Sequence, residues 1–168
     1  MNTLLSVIFA IAGVARTHTA PRALGEVFFP FDSDALPANA TDRLDASVAY
    51  ARAHPTARLV LDAHCDPIGT APYNVGLAIR RAEAVRGTLT EMGVPADQIV
   101  VATYGKDGAR RTTYAEDRRV SVRASSAPLA SVIAQTFAGD GTAVTWERPM
   151  TWAQIAAAPD AVASTELH

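Results

Sequence analysis

The residues best equipped for chemistry lie in one stretch, 63–85, which reads AHCDPIGTAPYNVGLAIRRAEAV. It contains a His, a Cys and an Asp in succession, followed by an Asn and two Arg. Such a set is compatible with three kinds of site: a catalytic site, a metal site and a pocket that binds a charged ligand.

Catalysis and metal binding are the weaker interpretations of this stretch. A cysteine nucleophile needs its base within hydrogen-bond reach. Consecutive strand residues point to opposite faces, so His64 is badly placed to activate Cys65. A metal site made of Asp62, His64 and Asp66 lacks a recognised ligand spacing. We therefore predict a protein that is not an enzyme and has no metal or other cofactor.

A pocket for a charged ligand agrees better with the spacing. Asn74 and Arg81 are seven residues apart on a predicted helix, so they share one stripe. Asp66 lies in the loop before that helix, whose N-terminus favours anionic groups. Arg118 lies two residues before Val120, whose side chain is expected to face inward, so both side chains lie on the same face of the strand. At the start of that strand, this predicts a position for Arg118 at the rim of the sheet. The alternative explanation is an internal salt bridge between Asp66 and Arg81.

Hydrophobic periodicity predicts the elements that hold these residues. Alternation predicts strands near 27–31, 58–64, 98–105 and 118–125, and helical spacing predicts helices over 37–54 and 71–92. Pro30 cannot donate to a strand ladder, so the first strand is an edge strand or ends there. The order β-α-β-α-β-β predicts an α+β fold: a four-stranded mixed sheet with two helices on one face.

Composition limits the class of protein. The chain has 168 residues, of which 49% are hydrophobic and 19% are charged, enough for one domain with a core. The formal net charge of -2 gives no reason to expect nucleic acid as a partner. The single cysteine, Cys65, excludes an internal disulfide.

The first 15 residues have the pattern of a signal peptide. Their apolar stretch, 4–15, is too short for a membrane span and ends in small residues. The alternatives are a buried N-terminal strand or a membrane-associated stub. No cysteine lies near this stretch, so a lipid anchor is not expected there. Residues 16–24 are interpreted as a linker.

Four motifs in the right order give residues 25–124 a family resemblance. FPFDSDAL resembles the first strand and turn of the OmpA-like peptidoglycan-binding domain, and the stretch 63–85 resembles its core motif. GVPADQI is similar to its link into the third strand, and DRRVSV to its closing strand. The resemblance implies that five residues bind the ligand: Asp32, Asp66, Asn74, Arg81 and Arg118. The sequence departs from the motif at Ala63, Cys65 and Ala78, where the family often has Gly, Thr and Ser.

The ligand implied by the resemblance is the diaminopimelate residue of peptidoglycan stem peptides. Its side chain ends in a zwitterion, so Asp66 is expected to bind the ammonium and the planar guanidinium of Arg81 to bind the carboxylate. The implied function is non-catalytic anchoring of an envelope component to the cell wall, in the periplasm and associated with the outer membrane. The alternative is an envelope scaffold module that acts through protein contacts without binding peptidoglycan.

The remaining segment, 125–168, is interpreted as a short helical extension. It is rich in alanine, and TWAQ at 151–154 matches a capping box. Its large apolar residues are Phe137, Trp146, Met150, Trp152 and Ile155. We expect them to pack back on the domain, because exposed tryptophans are costly in a monomer; the alternative is an arm that binds an envelope protein.

Overall fold

The alternating apolar residues of the sequence form a sheet that carries helices on both faces. The computed structural model describes residues 22–109 and 111–146. Its elements, in chain order, are β1 (Arg22–Phe28), α1 (Ala40–Ala53), β2 (Arg58–His64), α2 (Ala71–Glu91), a 3-10 turn (Ala96–Gln98), β3 (Ile99–Gly105), α3 (Tyr114–Asp117), β4 (Arg119–Ser125), α4 (Leu129–Ala138) and β5 (Ala143–Trp146). No helix within these described ranges is long and apolar enough to cross a membrane.

The strands form one mixed sheet in the order β1-β4-β2-β3-β5. β2 and β3 are parallel, whereas β1 with β4, β2 with β4, and β3 with β5 are antiparallel. The predicted α+β class and strand–helix order are confirmed. β1 lies at an edge of the sheet and ends at Phe28, two residues before Pro30, as the proline predicts.

Helices α1 and α2 cover one face of the sheet and form the larger core with it. The residues of β2 that face these helices are Leu59, Leu61 and Ala63, in agreement with the predicted alternation. The stripe of α2 that packs in the same core is Ala78, Ala82, Val85 and Leu89. The helical periodicity of the sequence therefore identifies the buried side of α2 correctly.

Gly25 lets β1 and α1 approach closely. A Cβ atom at this position would lie 2.4 Å from the carbonyl oxygen of Arg43, well inside van der Waals contact. The strand also has a bulge between Ala23 and Gly25. A larger residue at position 25 would push α1 away from the sheet.

The segment after Ser125 contains a strand that the sequence analysis does not predict. The helix α4 buries Val132 against Val60 and Val100 on the second face of the sheet. β5 then pairs with β3, with Val101 opposite Thr145. A strand of four residues is too short to show periodicity, and it forms because it satisfies the open edge of β3. The predicted signal peptide, the capping box at 151–154 and the apolar residues Met150, Trp152 and Ile155 lie outside the described residues.

Candidate functional site

One pocket receives all five of the ligand-binding residues predicted from the resemblance. It lies where the loop after β1, the loop after β2 and the first turns of α2 meet the end of α3. Its volume of about 330 Å³ is within the usual range for small-ligand sites. The lining residues are Phe31, Asp32, Cys65, Asp66, Ile68, Gly69, Thr70, Tyr73, Asn74, Leu77, Arg81 and Arg118.

Asp66 lies at the base of this pocket and is only 4% exposed. One carboxylate oxygen accepts a hydrogen bond of 3.1 Å from the backbone N–H of Ile68. The other oxygen accepts a bond of 3.1 Å from Nη1 of Arg118, which makes an ion pair. The loop turns at Gly69, whose φ of +94° is in the region that favours glycine.

Arg118 reaches the pocket from the opposite side. It caps the short helix α3, and its Nε donates to the carbonyl oxygen of Phe29 at 3.1 Å. Thr113 and Glu116 form a capping box at the start of α3, which fixes the turn that presents Arg118. Asp66 therefore forms its ion pair with Arg118. The alternative explanation from the sequence, a salt bridge between Asp66 and Arg81, is wrong.

Arg81 is more deeply buried than its expected role, binding the ligand carboxylate with both guanidinium nitrogens, would require. Its side chain is 0% exposed. Nε donates to the carbonyl of Ser33 at 2.8 Å, and Nη2 donates to the carbonyl of Pro30 at 3.0 Å. Nη1 lies 3.4 Å from both the carbonyl of His64 and the sulfur of Cys65. Of the five N–H groups of a guanidinium, four already have partners, and burial lowers the pKa of this group.

Asn74 and Asp32 complete the polar lining. Nδ2 of Asn74 donates to the carbonyl oxygen of Ile68 at 2.8 Å and so closes the loop on α2. Asp32 is exposed at the mouth of the pocket and has a left-handed φ of 50°. Its carboxylate accepts a hydrogen bond from the hydroxyl of Tyr73.

Three apolar residues at the mouth were missed by the sequence analysis. Phe31, Ile68 and Tyr73 are 59%, 48% and 49% exposed, and all three line the pocket. The alternation grouped Phe31 with the inward residues Val27 and Phe29, but β1 ends before Phe31 is reached. The signal that points to an exposed Phe31 is Pro30, which ends the strand.

His64 and Cys65 occupy different faces of the sheet, as the strand geometry predicts. Cys65 packs in the core under α2, where burial raises the pKa of its thiol. His64 stacks on Tyr104, with ring centroids 4.8 Å apart, and burial lowers its pKa to about 3. No group of three or more acidic, His or Cys side chains within the described ranges is arranged to hold a metal ion.

Comparison with known proteins identifies relatives of this chain. A family model described as the OmpA family matches residues 28–123. The peptidoglycan-associated lipoprotein of Haemophilus influenzae is 35% identical over 98 residues, which cover 55% of this chain and 64% of that protein. The protein of that name from Pseudomonas aeruginosa is 33% identical over 119 residues, which cover 68% of this chain and 70% of that protein. The chain therefore spans about two thirds of the length of each of these two relatives.

Comparison with solved structures finds the same fold in related proteins. The crystal structure of the peptidoglycan-associated lipoprotein from Burkholderia pseudomallei has a TM-score of 0.54 and 30% identity, and covers 60% of this chain and 89% of that chain. The periplasmic domain of Helicobacter pylori MotB has a TM-score of 0.53 at 18% identity, and covers 76% of this chain and 93% of that chain. At that identity the likeness to MotB concerns the fold alone.

Proposed function

Because this chain belongs to the OmpA family, we propose that its pocket binds peptidoglycan through the diaminopimelate residue of the stem peptide, without catalysis. The protein would tie an envelope component to the cell wall, in the periplasm and in association with the outer membrane. The relatives from Haemophilus influenzae and Pseudomonas aeruginosa support this proposal, since both are named as peptidoglycan-associated.

The observation that carries the proposal is the ion pair between Asp66 and Arg118 at the base of the pocket. The end of a diaminopimelate side chain bears an ammonium and a carboxylate on one carbon. Such a zwitterion replaces both partners at once: its ammonium pairs with Asp66, and its carboxylate pairs with Arg118. Every charge keeps an opposite charge during this exchange, so binding leaves no buried charge unpaired.

Arg81 contributes to this site as a fixed charge and as a support. Its hydrogen bonds to the carbonyls of Pro30 and Ser33 hold the loop after β1 against α2. Its positive charge beneath the pocket adds to the field that attracts the ligand carboxylate. The guanidinium has no exposed surface, so a direct contact with the ligand would need an existing hydrogen bond of Arg81 to open. Asn74 and Asp32 supply an amide and a second carboxylate for the peptide.

The absence of catalysis in this proposal rests on the placement of the nucleophile and the base. Cys65 has a raised thiol pKa, so its nucleophilic thiolate is scarce at neutral pH. The buried ring of His64 lies on the other face of the sheet and stacks on Tyr104. A general base has to reach the proton that it removes, and His64 does not reach the pocket.

The test is calorimetric titration with synthetic stem peptides that contain diaminopimelate, together with co-sedimentation with purified sacculi. We expect binding by the natural chain and strong loss in Asp66→Asn, which keeps the shape and removes the charge. Asp34→Asn is the matched control, since Asp34 pairs with exposed Arg80 outside the pocket lining. A folded protein that binds neither peptide nor sacculi, but that retains envelope proteins in pull-down, would instead be the scaffold module.

A further inference from the structure

A groove lies on the face of the sheet that α4 covers only in part. Val132 of α4 packs with Val60 and Val100, so this helix lies over β2 and β3. The rest of this face, formed by β1, β4 and the middle of β2, contains a groove of about 520 Å³. That volume is within the range of small-ligand sites. The groove has no lining residue in common with the pocket of the candidate site.

The register of the strands brings polar side chains together in this groove. Glu26 of β1 lies opposite Ser121 of β4, and Ser121 lies opposite Asp62 of β2. In the next row on this face, Ala23 lies opposite Arg123. Residues directly opposite each other in a sheet have side chains on the same face, so these groups share one surface. Ala23 contributes only a methyl group, which leaves its row open.

The polar groups on the floor of the groove have hydrogen-bonding capacity to spare. Oδ2 of Asp62 accepts from Nε of Arg123 at 2.6 Å, and both Nη groups of Arg123 are without a partner among the described residues. These two side chains are 13% and 16% exposed, so a ligand can reach them. Oε1 of Glu26 accepts from the hydroxyl of Ser121 at 2.8 Å, and Glu26 is also partly exposed.

Arg43 and Phe28 form the wall of the groove next to β1. The guanidinium carbon of Arg43 lies 5.6 Å from the centroid of the Phe28 ring, and this exposed arginine makes no ion pair within the described ranges. Two carboxylates and two guanidiniums line the groove, so its formal charge is zero. A neutral ligand whose groups both donate and accept hydrogen bonds is complementary to such a surface, and hydroxyl groups do both.

The groove and the pocket are close enough for one polymer to reach both. Phe28 lines the groove, and Phe31, three residues later in the chain, lines the pocket. On the neighbouring strand, Arg118 lines the pocket and Ser121 lines the groove, again three residues apart. Three residues of extended chain span at most about 10 Å. A ligand that carries both a sugar and a peptide therefore has a short distance to bridge.

We infer that this groove binds a neutral sugar unit of the glycan strand while the pocket holds a stem peptide of the same strand. The inference rests on the proposed function and adds to it a second site with another ligand class, a hydroxyl-rich saccharide. Sugar hydroxyls donate to the carboxylates of Asp62 and Glu26 and accept from the guanidiniums of Arg123 and Arg43. Because the two contacts are linked, the affinity for a sugar–peptide should exceed that for the peptide alone by on the order of tenfold.

The experiment is calorimetry with three soluble probes: the stem peptide, the wall disaccharide, and the disaccharide joined to that peptide, as released from sacculi by a muramidase. We expect the joined probe to bind the natural chain most tightly. Ala23→Phe fills the groove from an exposed strand position, and Arg43→Ala removes one donor. Both variants should lose the gain from the sugar and keep the affinity for the peptide alone.

Arg52→Ala is the matched control for these variants. Arg52 is an exposed arginine of the same helix as Arg43 and lies outside the groove lining, so its removal should leave the gain unchanged. Circular dichroism of each variant checks that the fold is kept.

The outcomes separate the groove from the proposed function. Equal affinity of the natural chain for the peptide and the joined probe overturns the groove and leaves peptide binding intact. A gain that survives in both Ala23→Phe and Arg43→Ala also overturns it. Failure to bind the peptide and the joined probe overturns the proposed function, whereas binding of the disaccharide alone that is lost in Ala23→Phe would still support the groove as a sugar site.

Discussion

Arg118 and Asp66 are 52 residues apart in the chain, yet Nη1 of Arg118 lies 3.1 Å from the carboxylate of Asp66. Both side chains are largely buried, so water screens this ion pair only weakly. Under the proposed function, this ion pair has to open when the ligand enters the pocket. The variants of Arg118 therefore test ligand choice directly.

Arg118→Ala should remove the preference for diaminopimelate peptides over lysine peptides. Lysine offers the ammonium but has no second carboxylate, so it gains nothing from Arg118. We expect the natural chain to bind the diaminopimelate peptide about 10- to 150-fold more tightly, from about 1.5–3 kcal/mol for a hydrogen bond to a charged group. Fluorescence titration with matched peptides measures this, with Arg80→Ala as control. Equal affinity of the natural chain for both peptides would refute the role of Arg118.

The main effect of Arg81→Ala should be a lower free energy of unfolding. Its removal leaves three carbonyl oxygens, the buried one of His64 and the partly buried ones of Pro30 and Ser33, without the guanidinium donors that they have now. We expect a loss of about 3 kcal/mol in the free energy of unfolding, measured by urea denaturation. Arg81→Lys should restore only part of it, because an ammonium does not reproduce the planar fork. A fully stable alanine variant would show that these hydrogen bonds contribute little.

The buried ring of His64 should make the protein less stable in mild acid. Its pKa is about 3 in the folded protein and about 6.5 when unfolded. Between these values the unfolded state binds the extra proton, so stability is complete above pH 6.5 and falls as the pH falls. The expected loss between pH 7 and pH 5 is about 2 kcal/mol.

His64→Phe provides the comparison for this pH dependence. Phenylalanine keeps the stacking on Tyr104, and the Nδ1 atom that it removes has no hydrogen-bond partner among the residues that the structure describes. The variant should lack the His64 contribution, so its unfolding free energy should fall by about 2 kcal/mol less from pH 7 to pH 5. Exposed His54 serves as the control position. Identical pH profiles of the natural chain and His64→Phe would contradict the assignment.

The C-terminal extension should stabilise the domain through α4. Val132→Ala removes two methyl groups from the contact with Val60 and Val100, at a cost of about 2 kcal/mol. In a protein of this size that lowers Tm by roughly 4–8 °C. Phe137→Ala is the control, since its ring is half exposed. Deletion of 126–168 should lower Tm further; an unchanged Tm with loss of an envelope partner would indicate an interaction arm.

The sequence by itself predicted most elements of the domain and the five residues that line one pocket. Periodic apolar residues predicted the buried sides of β2 and α2, because burial depends mainly on local patterning along one strand or helix. Spaced motifs then predicted that Asp32, Asp66, Asn74, Arg81 and Arg118 share one site, and the structure brings all five to one pocket.

The tertiary structure decided how those residues are paired. The sequence identifies Asp66, Arg81 and Arg118 as candidates. The arginine that pairs with the carboxylate is decided by the distance between the loop after β2 and the C-cap of α3. No local sequence pattern contains that distance. The same holds for the apolar residues at the mouth of the pocket and for β5. Phe31, Ile68 and Tyr73 meet only when three segments converge, and Ala143–Trp146 becomes a strand because the edge of β3 offers unpaired hydrogen-bonding groups. Interactions between distant segments fixed these features, and they exist only in the folded chain.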